Sequence, residues 1–514
     1  MNRNKALSFP PVLLLAALSL ASCSGPKTTC TVNCGGSGNG SVAVTMVADT
    51  LPASPSLLTF QVTIASIKFT TSSGSSTTVN LNPALTVDLM RLQTDTVFLG
   101  LFPNIPAAQY VSATLFLSGN AKITFLNDSA TATISLCPPN TVCPLSVAVS
   151  STPVATVPFT VSQNAVTGIG IDLNLFNTVS ISGTPANLVV NFNNANVLSA
   201  FTLPRPNSNL AAGQLDLIED FTGVVTINNQ SVTLASAPVT GRGSLTASAT
   251  SATFYDPDPT GTRCPTGTTL LVNCVSNNQV ASMDVILRSD GTLAIQEIEP
   301  LLATAQDTVE GIVVSINPSS LAQQFTLVVT NLIPAAQSSL IGSLHIGDAL
   351  TVNLSNPVFP FLVDQKGLPV QTNFAGIFAN FFNQTSTSAI HLGQVVAVHV
   401  TAPFTASVGS TIASTFADTI TLRWSRLTAT LQAPTSPAFN LASFPFYFGL
   451  PQGTILTVQT FPVALGTARV TNFDGVLDGS GLLTARPVAI RALFLENTTN
   501  SANPVFFAAK VRQH

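Results

Sequence analysis

Few residues in this 514-residue chain could do chemistry: only 8% are charged, and there are four histidines. His345, His391, His399 and His514 form no His-Glu-x-x-His pattern, and neither a Gly-x-Ser-x-Gly elbow nor a phosphate-cradling Walker loop occurs. His391 and His399 lie on alternating sequence and can face one side of a strand, but two imidazoles without a third ligand make a poor metal site. Two acidic loops raise the question of calcium. One carries Asp256 and Asp258, the other Asp474 and Asp478. Calcium takes roughly six to eight oxygens, whereas each loop offers a pair of carboxylates plus carbonyls at spacings unlike an EF-hand. Solvated turns are the plainer reading, and no metal or other cofactor is expected. Glu297 and Glu299 share a strand face, either as paired acids for glycoside hydrolysis or as charges that solubilise a strand end. Nothing in the sequence singles a pair out of 22 acids. Trp424, between Arg423 and Arg426, could stack on a ligand, although a lone Trp is more often packed. Phe444-Pro445-Phe446-Tyr447-Phe448 is a denser aromatic cluster, a platform for a sugar or a partner, or else a contact between domains.

The chain has seven cysteines. With Cys23 set aside, the rest fall into close pairs, Cys30 with Cys34, Cys137 with Cys143 and Cys264 with Cys274, and these local disulfides are the expected connectivity. The spacings within the first two pairs are not those of a zinc site, and no His lies near either. Closing short loops stabilises little, so the bridges should act as loop clips.

Cys23 is set aside because of what precedes it. Arg3 and Lys5 give a basic start, and Val12–Leu20 is an almost unbroken apolar run, too short for the roughly 20 residues of a membrane-spanning helix. This is the form of a secretory signal peptide over 1–22. Leu20-Ala21-Ser22-Cys23 resembles the bacterial lipobox, which implies cleavage before Cys23 and acylation of its thiol and new amine. Each buried CH₂ adds about 0.8 kcal/mol, and more than one acyl chain gives stable anchoring. Ser24 in place of Asp favours, by the same resemblance, the outer membrane. Export fits an oxidising compartment and disulfides.

Hydrophobic residues make up 46% of the chain, and the low charge contrasts with roughly 25% in average proteins. Ser, Thr, Asn and Gln must cover the surface, as in exported β-rich proteins. No later apolar run approaches membrane-spanning length, so the mature chain should be soluble apart from its lipid. Net charge is −4 with no basic patch, which argues against nucleic acid as a partner. Residues 23–41 end in a Gly-rich run and read as a flexible tether. From Ser41 the period becomes two: Val42/Val44/Met46, Leu58/Phe60/Val62/Ile64, Leu85/Val87/Leu89, Val111/Ala113/Leu115/Leu117 and Ile169/Ile171/Leu173/Leu175 each mark a half-buried strand. A slip of phase before Ile67 and Phe69 predicts a bulge. Pro204–Asn209 reads as a linker. Asn228-Asn229 and Asp290-Gly291 predict hairpin turns. Leu344–Leu354, Ile390–Val400 and Leu450–Thr460 share the form apolar-x-x-Gly-x-apolar-apolar-x-Val, a weak repeat in which a Gly turn feeds a barrel strand. Phe374, Ile377, Phe378 and Phe381 fall at helical spacing within 373–383, a core plug.

The expected architecture is all-β: a β-sandwich over 42–203, then two or three small barrel or sandwich domains over 204–303, 304–404 and 405–514. Phe60–Ile67, Val87-Asp88-Leu89, Ile105-Pro106-Ala107-Ala108-Gln109-Tyr110 and Gly168–Leu175 resemble a bacterial lipoprotein family, domain of unknown function 4382, over about residues 42–200. That family usually has Gly before the aromatic of the turn where this chain has Ala108 and Gln109. The Gly-turn-strand copies resemble the small five- or six-stranded barrels of domain of unknown function 5666, often found with the first. The shared motifs are packing and turn motifs and bring no catalytic residues. The leading expectation is therefore a lipid-anchored envelope protein of tandem β-domains, with a binding, adhesive or structural role and a polysaccharide or protein ligand. An envelope enzyme acting on glycans would instead show a convergent acidic cleft with a raised-pKa carboxylate, and a carrier or assembly factor would show a large apolar cavity.

Overall fold

The computed structural model describes residues 38–513 apart from 50–54, 150–151, 195, 207, 266, 303–306, 318–322, 334–343, 356–357, 406–411, 463–468 and 497–503. The chain is all-β, and the helical elements among these residues are single turns. No described helix is long and apolar enough to cross a membrane, which says nothing of β-barrels. The expected signal segment, the lipidation site Cys23 and the tether up to Ser37 lie outside the described residues.

Two of the three expected disulfides are present, Cys137–Cys143 and Cys264–Cys274. The third expected pair, Cys30 with Cys34, lies outside the described residues.

Two sheets form the N-terminal sandwich. One runs Leu198–Thr202, Val166–Leu173, Asn39–Ala48, Val97–Pro106, with the middle two parallel. The other runs Ser76–Asp88, Ser56–Thr71, Ala108–Leu126, Val142–Ala148, with Val154–Val161 pairing the first half of Ala108–Leu126. Val42, Val44, Ile169 and Ile171 of one sheet share a core with Phe60, Val62, Ile64, Ile67 and Phe69 of the other. The phase slip is a bulge between Ile64 and Ser66, which returns Ile67 and Phe69 to the core side of a strand that would otherwise turn them outward. Tyr110, after the Pro-Ala-Ala-Gln turn, is buried, donates its hydroxyl to Pro106 O at 3.0 Å and stacks on Phe159.

The remainder repeats one topology three times. The first unit orders its strands Ser244–Ser248, Ser231–Ala235, Gln214–Asn228, Val280–Arg288, Leu293–Leu302, Phe254–Tyr255. Parallel pairing of Ser244–Ser248 with Leu293–Leu302 closes the ring. The second, Ala349–Leu354, Gln324–Ile333, Thr308–Ile316, Val395–Val400, Ala413–Arg423, Leu362–Val363, closes through Ala349–Leu354 and Ala413–Arg423. The third, Leu456–Gln459, Ala438–Ala442, Ser425–Ala433, Pro487–Leu495, Val505–Gln513, Asn472–Asp474, closes through Leu456–Gln459 and Val505–Gln513. Closure leaves few unpaired strand edges. The second unit takes in Ala413–Arg423 and so extends past residue 404; only Trp424 separates it from the first strand of the third. Both hairpin turns form, at Asn228↔Ser231 and Leu287↔Leu293.

Gly347 and Gly453, at φ +96° and +84°, precede equivalent third strands, so Leu344–Leu354 and Leu450–Thr460 are copies of one another. Ile390–Val400 is not: its Gly393 feeds the fifth strand of the second unit. The same local device serves two topological positions, which is why the pattern suggested three copies of one element. The predicted plug is a pair of short turns, Val370–Asn373 and Ala375–Phe378, with Phe378 and Phe381 buried and Phe374 packed on Phe461 and Phe507 of the third unit. Pro204–Asn209 is pinned rather than loose: Arg205 lies over the Phe201 ring, and Asn209 Nδ2 donates to Phe473 O at 3.2 Å.

Candidate functional site: a buried charge network between the barrels

Each barrel places charge by the same strand register. The short fourth strand pairs Tyr255, Val363 and Phe473 with Ile298, Leu422 and Val511 of the last strand. Those last-strand residues are barrel core. Alternation then turns their flanking residues outward, toward the neighbouring units. The flanking pairs are Glu297/Glu299, Thr421/Arg423 and Lys510/Arg512. After the short-strand residue comes an acid every time: Asp256, Asp364 and Asp474. Opposite Glu297, Thr421 and Lys510 the fifth strand offers Asp284, Ala397 and Arg491. On the first strand, Glu310 pairs Ala397 and Arg426 pairs Arg491, while Asp220 sits beside Asp284 in a bulge between Ile218 and Phe221. Asp220 has φ +51°, a conformation Asp tolerates better than most residues, and its N–H donates to Asp284 at 2.7 Å. Equivalent positions thus carry acids in the first barrel, mostly cations in the third and both signs in the second.

Opposite charges meet across the seams. Arg426 of the third barrel contacts Asp220 of the first. Lys510 Nζ donates to Glu219 Oε2 at 2.6 Å. Arg423 contacts Asp364 within the second barrel and reaches Asp220 at 3.6 Å and Glu299 at 4.0 Å in the first. Lys366 Nζ lies 3.6, 3.9 and 4.0 Å from Glu297, Asp284 and Asp220. The sandwich enters through the turn Arg91–Gln93. Asp95 accepts from Arg426 Nε at 2.7 Å and Arg491 Nη1 at 3.5 Å, Arg91 donates to Asp220 at 3.0 Å, and Arg512 donates to the Leu92 and Gln93 carbonyls. Arg242 of the first barrel donates to Asn331 and to the Thr330 carbonyl of the second.

Burial sets the proton affinities. It pushes Asp95, Asp220 and Asp284 upward, but nearby cations outweigh it, so all three stay below the usual carboxylate range: Arg426 leads for Asp95 and Asp220, Lys366 for Asp284. Asp256 and Glu299 go well above it, because burial is reinforced by Glu297 and Asp364 for the former and by Asp364 and Asp256 for the latter. Burial raises Glu219 to about 7 despite Lys510, and burial with Arg512 nearby lowers Lys510. Both shifts disfavour charge on that pair. An acid raised from about 4.5 to about 7 contributes its full stability below the lower value and loses it as pH rises through the upper one. The parent chain should therefore lose about 3 kcal/mol relative to Glu219→Gln between about pH 4 and about pH 8. Urea unfolding of both chains at the two pH values checks this; a difference that does not change with pH would contradict it.

Lys366, Arg469, Arg491, Asp284 and Glu297 line a polar cavity of about 380 Å³ beside the network. Among the described residues, Glu297 Oε1 and Arg491 Nε have no hydrogen-bond partner.

The residues singled out in the sequence are dispersed. Asp256 is buried in the network, not on a solvated turn, because the strand Phe254–Tyr255 carries it against the last strand of its barrel. The Asp474 carboxylate is likewise bonded, to Arg512. Asp258 accepts from the Arg263 N–H and Thr260 hydroxyl, and Asp478 caps Ser480. Among the described residues, no group of three or more His, Cys, Asp or Glu is placed to hold a metal ion. Glu297 and Glu299 are 2% and 1% exposed, so they are not solubilising charges, because barrel packing covers the strand face that carries them. His391 pairs with Glu496 and His399 with Asp418, so the two imidazoles do not converge. Trp424 is buried and donates to Asp364. In the aromatic cluster Tyr447 and Phe448 are buried, with Phe448 packed on Phe494 and Phe506, and Phe446 faces solvent. The sequence reading missed the network itself. Its signal was charge at alternate positions in otherwise apolar strands, in Glu297-Ile298-Glu299 and Lys510-Val511-Arg512. No family model matches the sequence, and neither does any curated protein.

Proposed function

We propose that this protein is a non-catalytic component of a bacterial envelope, exported and held to the outer membrane by lipid on Cys23, with a binding or structural role. The observation that carries the non-catalytic reading is the fate of its charges. Glu219, Asp256 and Glu299 have the raised proton affinity a general acid needs, yet each is buried, so a substrate cannot reach it. The other acids of the network are paired with cations that hold one domain against the next. A sandwich followed by three small closed barrels, each a ring of five strands with a short sixth strand paired to its last, supports the resemblance to the two lipoprotein-associated families. Anchoring rests on Leu20-Ala21-Ser22-Cys23. Intact mass and detergent partitioning of the native protein beside Cys23→Ala test it. The native chain should carry acyl mass and enter the detergent phase, and the variant should stay aqueous. Two unlipidated, aqueous chains would overturn the anchor.

A further inference from the structure

A groove of about 780 Å³ runs along the seam between the sandwich and the third barrel. The sandwich contributes Phe176, on the short turn Leu175–Thr178, and the barrel contributes Phe446, on the turn Phe446–Phe448. These rings are 63% and 48% exposed and, unlike the other exposed rings among the described residues, both line this one groove. The backbone turn under each is held firmly. The Phe176 turn is capped by Asn174, whose side chain accepts from the Asn177 N–H at 2.9 Å, and its Leu175 and Thr178 are buried. The Phe446 N–H donates to Ser56 Oγ across the seam at 3.0 Å, while Tyr447 and Phe448 beside it are sunk in the core. A backbone ordered in advance loses little freedom when a ligand arrives.

The rest of the lining decides which ligand fits. Thr430, Ser443 and Gln452 also line the groove, and Ser443 is held at φ +60°. Among the described residues no Lys or Arg lines it, and Asp128 is its one acid. A polyanion would find no cation there, which removes nucleic acid and acidic polysaccharides. A wholly apolar chain would leave hydroxyls and an amide facing it. A sugar ring matches both features. Its C–H face is weakly positive and stacks on the negative face of an aromatic ring, while its rim of hydroxyls meets Ser, Thr and Gln. The volume lies within the roughly 300–1,000 Å³ of ligand sites. We infer that this groove binds a neutral glycan, with Phe176 and Phe446 as stacking platforms on its two walls. The inference deepens the binding role proposed above and is independent of the anchor.

The test is a panel of neutral glucan, mannan and chitin oligosaccharides titrated calorimetrically into the full chain, alongside Phe176→Ala, Phe446→Ala and the control Phe416→Ala. Phe416 is exposed on a strand of the second barrel, away from the groove. At least one oligosaccharide should bind, with affinity reduced about tenfold or more by either groove variant and unchanged by the control. Absence of binding at millimolar concentration by the folded chain would overturn the inference and leave a structural role standing. Binding that both groove variants retain would overturn the location. A fatty acid that binds instead and is lost in those variants would make the occupant an apolar chain and overturn the glycan. None of these outcomes bears on Cys23, whose partitioning is read separately.

Discussion

Asp220→Asn should lower the stability of the chain by about 3–5 kcal/mol, the cost of removing one partner from a buried ion pair. Asn keeps the shape of Asp and tolerates the positive φ of this bulge, so the loss isolates the charge. Asp220 accepts from Arg426, Arg91 and the Ser282 hydroxyl, with Arg423 and Lys366 within 4.0 Å. These cations come from the sandwich and from the second and third barrels, while Asp220 itself belongs to the first. Removing its charge leaves a surplus of positive charge where water cannot screen it. Urea unfolding at neutral pH should show the midpoint fall; a midpoint within the scatter of the parent would contradict the assignment.

The second large effect is expected at Asp95→Ala. Asp95 is the carboxylate the sandwich inserts among the barrels, and its oxygens serve Arg426, Arg491 and Arg91. Its proton affinity is held down by those cations against its burial, so its stabilising contribution is complete above about pH 4 and fades as pH falls through the lower folded value. At neutral pH the loss should again be about 3–5 kcal/mol. It should also loosen the sandwich from the barrels. Limited proteolysis should then cut the variant between Thr202 and Gln214, where the parent is held by Arg205 and Asn209. Equal resistance of parent and variant would show that the Asp95 carboxylate is not what joins the two parts.

Much of the fold could be read in the sequence because alternation reports burial directly. The bulge before Ile67, the hairpins at Asn228-Asn229 and Asp290-Gly291 and the closed small sheets follow from local pattern. Local pairing also served for Cys137–Cys143 and Cys264–Cys274, whereas the matching expectation for Cys30 and Cys34 falls on residues the structure does not describe. What could not be read depends on pairing between distant strands. Gly393 and Gly453 look alike in sequence, yet one feeds a fifth strand and the other a third. The network was hidden for the same reason. Glu297 and Glu299 resemble a solvated strand face until the register shows Lys366 and Arg423 coming from another barrel to meet them. Charge alternating with core residues has the same pattern whether water or a neighbouring domain covers it. The aromatic cluster divided along its backbone, with Phe448 inward and Phe446 outward, and only the 3₁₀ turn at Phe446–Phe448 decides which ring goes where.

The central claim is that charge complementarity between the first and third barrels locks the domains together. A double-mutant cycle on Asp220 and Arg426 tests it most directly, using Asp220→Asn, Arg426→Met and the combined variant. If the two side chains act as one buried pair, the double variant should be less destabilised than the sum of the singles by about 2 kcal/mol or more, within the range measured for side chains in contact. Additive losses would show that each residue is held by its own surroundings, and the account of the junction would fail.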